Sequence, residues 1–132
     1  RKESSENPVY YIQYAHARIS SILRLAEGRH IKYSNADVSL LVDDAELDLI
    51  RKMVQFPELI EQIALKLEPH HLSHYSLELA TSFHWFYKQC RVVSSIDDEE
   101  PITKARLKLV ESAQIVLARC LSLMGMSAPD EM

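Results

Sequence analysis

Four of the five prolines, Pro8, Pro57, Pro69 and Pro101, each stand at the head of a stretch whose apolar residues recur every three or four positions. Proline has no N–H to donate and a fixed φ, so a helix accepts it in the first turn and resists it further in. A 3–4 spacing gathers apolar side chains on one helical face, whereas a half-buried strand needs strict alternation. No stretch of the chain alternates in that way. The pattern predicts an all-α protein, a helical bundle of about five helices, of which the first, fourth and fifth are the longest.

The first helix is the best specified. Asn7 is a good N-cap, because its short side chain can accept from an unpaired N–H of the first turn, and Pro8 suits the N1 position. Ile12, Ala15, Ile19, Ile22, Leu23 and Ala26 form the apolar stripe, and Gly28 is the expected stop, so the helix is predicted over about Pro8 to Glu27. Tyr11, Tyr14 and Arg18 fall together beside that stripe, within roughly 60° of arc at 100° per residue. Two rings and a guanidinium on one rim suit unpaired bases and a phosphate. The alternative is that the tyrosines cover the core edge and Arg18 pairs with a nearby acid, the commoner role for aromatics at helical spacing. His16 borders the stripe and reads as a satisfied structural histidine, and Gln13 as a structural hydrogen-bonder. Arg24 is expected nearly opposite Arg18, so one ligand could meet both only by wrapping around the helix or with help from another element.

Residues 28–43 read as a loop, with a short helical turn around Val38–Val42. Asp43 and Glu46 have the spacing of a capping box, which starts a second helix with Leu47, Ile50 and Val54 on its stripe and Leu49 and Met53 beside it. Phe56-Pro57 breaks that helix, and Pro57 opens a third, with Leu59, Ile60, Ile63, Ala64 and Leu67 as its buried face. The fourth is predicted from near Pro69 to about Cys90, with Leu72, Leu79, Ala80, Phe83, Phe86, Tyr87 and Cys90 on its stripe. A loop over 91–101 carries the acid run Asp97 to Glu100, whose charge favours the start of a following helix. The fifth helix starts near Pro101 or Ile102, buries Ala105, Leu109, Val110, Ala113, Val116, Leu117, Cys120 and Leu121, and ends at Gly125. The tail over 126–132 is too short for an element of its own.

A length of 132 residues suits one domain with a real core. Two glycines, Gly28 and Gly125, leave no glycine-rich phosphate cradle. No apolar run approaches a membrane span, and no charged–apolar–small leader opens the chain. Cys90 and Cys120 lie inside predicted helices and read as buried, reduced thiols of a cytoplasmic protein. Residues 1–6 read as a flexible lead-in, and the start at Arg1 reads as a cut from a longer protein. The net charge of −4 argues against a general nucleic-acid binder. Its distribution is more informative: residues 1–33 hold six basic and three acidic residues, and the remainder nine and sixteen. A locally basic end on an acidic body fits an RNA contact based on stacking and shape, and fits a protein partner equally well.

Two Glu-x-x-His spacings, Glu27 to His30 and Glu68 to His71, have the step used by di-iron bundles. Gly28 interrupts one and Pro69 the other, so neither reads as a metal site. His70 and His74 lack a third fixed ligand. No paired carboxylates, nucleophile elbow or Cys–His arrangement stands out, and the sequence offers no catalytic site and no metal.

The run from Asn7 to Ile19, with Gln13-Tyr14-Ala15-His16-Ala17-Arg18 at its centre, resembles the start of the C-terminal domain of arginyl-tRNA synthetases. Leu67-Glu68-Pro69-His70-His71-Leu72-Ser73-His74-Tyr75, then Leu79-Ala80 and Phe83-His84, resembles that family's fourth helix. Phe86 to Val92 resembles its closing turn, and Ala105-Arg106-Leu107 with Met124 to Met132 resembles its last helix and end. The resemblance covers almost the whole chain. It implies the helical anticodon-binding (DALR) domain of a class I aminoacyl-tRNA synthetase, spanning 1–132 of a larger enzyme that attaches arginine to its tRNA using ATP. His-x-Gly-His and Lys-Met-Ser-Lys, the catalytic signatures of that class, do not occur here. ATP with magnesium would serve a catalytic domain elsewhere in the same protein, and this part needs no cofactor. The implied partners are the tRNA(Arg) anticodon loop and that catalytic domain, with no DNA and no membrane. Position by position, the resemblance points to Tyr11, Tyr14, Arg18, Arg24, Tyr87 and Met132 as tRNA-binding residues, with His74 and Tyr75 as weaker candidates. The rival reading is a non-catalytic helical protein–protein interaction module, in which the Tyr11–Tyr14–Arg18 flank is a binding hot spot.

Overall fold

The caps expected from the sequence define the helix starts. In the computed structural model, which describes residues 7–66, 69–93 and 100–132, α1 spans Pro8–Gly28 and is capped by Asn7, whose side chain accepts from the Tyr10 N–H at 3.3 Å. A 3-10 turn over Val38–Leu40 follows, then α2 (Asp44–Val54), α3 (Phe56–Lys66), α4 (His70–Gln89) and α5 (Pro101–Leu123). Pro8 and Pro101 sit in the first turns of their helices. Pro57 is the second residue of α3, and Pro69 is the N-cap of α4. The described residues contain no strand. The lead-in over 1–6, Leu67, Glu68 and the acid run before Glu100 lie outside the described residues.

The Asp43–Glu46 capping box forms in both directions. Asp43 Oδ1 accepts from the Ala45 N–H, and Glu46 Oε1 accepts from the Asp43 N–H, both at 2.9 Å. Glu46 is also deeply buried, at 1% exposure, because its other oxygen accepts from Arg106 Nε of α5 at 2.5 Å. Arg106 Nη1 in turn donates to the Arg91 carbonyl at 2.9 Å. One carboxylate therefore ties the start of α2 to α5 and to the segment that leaves α4.

Two helix ends share one geometry and differ in the residue that makes it. After α5, Gly125 takes φ +76°, the Met126 N–H reaches the Leu121 carbonyl at 2.8 Å, and the Gly125 N–H reaches Ser122 at 3.0 Å. After α1 the same 6→1 and 5→2 bonds run from Ile31 to Ala26 and from His30 to Glu27, each at 3.0 Å. There the left-handed residue is His30, at φ +61°. Gly28, expected to make the stop, lies within the last turn of the helix.

α1 and α4 pack against α5 and against each other, α2 lies on α4 and α5, and α3 lies on α4 and α2. Ile12, Ile19, Leu79, Phe83, Phe86, Leu107, Val110, Leu117 and Leu121 form the centre of the core. The buried face of α2 is Ala45, Glu46 and Leu49, whereas Val54, expected on the stripe, is exposed. Packing against two neighbours rotates the buried face toward Leu49. α3 has no fully buried residue, and Ala64 is exposed rather than covered, since this helix meets the bundle from one side. Cys90 and Cys120 are buried free thiols. No described helix is long and apolar enough to cross a membrane.

Candidate nucleic-acid interface

The Tyr11–Tyr14–Arg18 flank of α1 faces α4, which presents His84 and Tyr87 to it. The Arg18 guanidinium carbon lies 4.1 Å from the centre of the Tyr87 ring and 4.7 Å from that of Tyr14. Arg18 Nη2 donates to the Tyr14 hydroxyl at 2.7 Å, and Nη1 lies 3.3 Å from His84 Nδ1. Distances of this kind mark a cation held over two aromatic faces. The His84 ring stacks on Tyr14, with centroids 5.6 Å apart, and lies 4.6 Å from Tyr11. Tyr10 extends the ladder, parallel to Tyr14 at 6.2 Å. Tyr11 itself packs on the edge of the core, so the packing alternative describes that ring in part. Tyr14 is half-buried, and Arg18 has no carboxylate partner among the described residues.

The tail over 126–132 has no regular structure and is nonetheless tied along α1. Gln13 Nε2 donates to the Ser127 carbonyl at 3.1 Å, and His16 Nδ1 meets the Pro129 carbonyl at 2.8 Å. Ser20 Oγ donates to Asp130 at 2.8 Å, and Arg24 Nη1 to the Asp130 carbonyl at 3.2 Å. Gln114 of α5 donates to Ser20 Oγ at 2.6 Å. Positions 13, 16, 20 and 24 thus form a polar stripe that seats the tail, and His16 and Gln13 have the structural roles expected of them.

Seating the tail completes a cleft of about 580 Å³ lined by Tyr14, Arg18, Arg24, Leu25, Tyr87 and Met132, among others. Arg18 and Arg24 border it together, although helical periodicity set them far apart. The tail forms the second wall, and the long Arg24 side chain reaches it. Glu131 also lines the cleft, so its charge is mixed. Met132 and Tyr87 are about half exposed, at 52% and 42%.

His74 and Tyr75 are not part of this cleft. Tyr75 is 5% exposed, and its hydroxyl donates to the Lys52 carbonyl of α2 at 2.5 Å. It is a core residue with no face free for a base, which corrects its candidacy. His74 is exposed on the α3 side of α4 and pairs with Glu78 at 3.2 Å. His84 and Tyr10 join the ring ladder without having been expected there. Their signal is only in spacing, His84 three residues before Tyr87 and Tyr10 four before Tyr14. The described residues hold no group of three metal-ligating side chains.

The DALR anticodon binding domain model matches residues 12–132. The chain belongs to this family. It is 58% identical over its full length to the arginine–tRNA ligase of Dehalococcoides mccartyi, of which it covers 23%. It is 48% identical to that of Symbiobacterium thermophilum over 98% of the chain and 23% of the relative. The solved arginyl-tRNA synthetase of Thermus thermophilus superposes with a TM-score of 0.76 at 34% identity, over 92% of this chain and 21% of that one. The chain thus spans about a quarter of the length of the curated relatives it matches.

Proposed function

We propose that this DALR domain is the tRNA-binding part of an arginine–tRNA ligase, and that the cleft between α1, the end of α4 and the tail receives unpaired bases of the anticodon loop of tRNA(Arg). The observation that carries this reading is Arg18, held between the Tyr14 and Tyr87 rings at the mouth of a cleft bordered by Arg24 and Met132. A base turned out of a loop gains about 1–3 kcal/mol from an aromatic face, whatever its identity. The guanidinium adds planar donors for a base edge or phosphate, and Met132 adds a pliable apolar contact. Together these groups hold a splayed loop, which positions the distant acceptor end for a catalytic domain elsewhere in the protein. ATP and magnesium belong to that domain's reaction and are not required by this one. The setting that fits this function is the cytoplasm.

The test is binding of the chain to an arginine tRNA and to a non-cognate tRNA at two salt concentrations. The expected result is preference for the arginine tRNA, with affinity falling as salt rises. Tyr14→Ala should weaken binding by roughly tenfold, because Arg18 loses the ring and the hydroxyl that hold it in the cleft, and leave the melting temperature within a few degrees. Equal affinity of the two proteins for tRNA, or collapse of stability in the variant, refutes the assignment of Tyr14 to the site.

A further inference from the structure

Arg18 is held by an atom that the RNA reading does not use. His84 Nδ1 lies 3.3 Å from Arg18 Nη1. A guanidinium only donates, so Nδ1 is unprotonated, and the neutral ring carries its proton on Nε2. Nε2 is buried and makes no hydrogen bond of normal geometry among the described residues, the Tyr11 backbone offering the ring only a weak one. A buried donor so poorly paired is destabilising. Phenylalanine would fill the same space against Tyr11, Tyr14 and Phe83 without that cost. What it could not do is accept from Arg18. Resting on the RNA-site reading above, we propose that His84 is a positioning residue: its neutral ring accepts from Arg18 through Nδ1 and fixes the guanidinium plane between Tyr14 and Tyr87.

The arrangement has a further consequence for the ligand. The bonds to Tyr14 and His84 occupy two of the five N–H donors of the guanidinium. The remaining donors are presented in a fixed plane rather than on a swinging side chain, so less conformational freedom is lost when RNA binds. Burial and the adjacent Arg18 charge both lower the His84 pKa, to about 4, and the Tyr11 backbone opposes them. The ring therefore stays an acceptor at neutral pH.

The experiment compares the wild-type chain with H84F and H84N. Asparagine carries its side-chain oxygen near the position of Nδ1 and so retains an acceptor. With arginine tRNA, H84F should bind about tenfold more weakly, while H84N stays within about twofold of wild type and both variants remain folded. Wild-type affinity in H84F, or equal losses in H84F and H84N, overturns the proposal. If the wild-type chain binds no tRNA, the RNA reading fails separately, and the Arg18 side-chain N–H resonances decide this one. They should exchange slowly in wild type and H84N and average out in H84F, and identical behaviour in all three overturns it. If H84F does not fold, the wild-type imidazole decides: a proton on Nε2 supports the proposal, and a proton on Nδ1 overturns it.

Discussion

Arg106→Ala tests the connection that holds the far ends of α2, α4 and α5 together. Glu46 is 1% exposed and accepts from two donors, the Asp43 N–H and Arg106 Nε. Removing the guanidinium leaves the carboxylate buried with one neutral donor. Breaking a buried pair in this way costs about 3–5 kcal/mol. The Arg106 side chain is 20% exposed, so water can enter the space it vacates, and the lower end, about 3 kcal/mol, applies. With an unfolding entropy of about 2.1 cal/mol/K per residue, such a loss lowers the melting temperature by roughly 11 °C. Thermal and urea unfolding followed by far-UV circular dichroism at neutral pH measures it. The double variant E46L/R106M removes both charges and should recover much of the loss, though not all, because the Asp43 N–H loses its acceptor. A drop of less than about 1 kcal/mol in Arg106→Ala would mean that the pair behaves like an exposed one and would refute the reasoning.

Acid should destabilise the fold through His84. Its pKa falls from 6.5 in the unfolded chain to about 4 in the folded one, so between those values the unfolded chain binds the extra proton. Its contribution is complete above about pH 6.5 and is lost as pH falls toward 4, on the order of 1–2 kcal/mol after allowing for the ring's partial exposure. The difference between wild-type and H84N stability profiles isolates it, and parallel profiles would refute it. His30→Gly relieves a left-handed non-glycine residue and should raise stability by about 0.5–1 kcal/mol. Gly28→Ala should do the same by a similar amount, since an added Cβ meets nothing within 4 Å. Melting temperatures check both. The thiols should alkylate slowly in the native chain and fast in urea: Cys120 is fully buried, and burial pushes the Cys90 thiol up to about 11. Rapid native labelling would mean that these helices open readily.

Local chemistry determined the elements. The proline heads, the Asn7 cap, the Asp43–Glu46 box and the 3–4 stripes each act within a few residues, so their effect is legible in order along the chain. The flank of Tyr11, Tyr14 and Arg18 was legible for the same reason, because one helix and its periodicity set it. Tertiary structure decided what that flank meets. His84 and Tyr87 come to it only because α4 crosses α1, and Arg24 joins it only because the tail lies along a stripe more than a hundred residues earlier in the chain. Tyr75 and Arg18 illustrate the division. Both are polar-tipped side chains on helix faces, and sequence offers each a place in an RNA site. Neighbouring helices bury Tyr75, with its hydroxyl spent on Lys52, and leave Arg18 held between two rings at the edge of an open cleft. Periodicity fixes the direction in which a side chain leaves its helix, and only packing fixes what stands there to receive it.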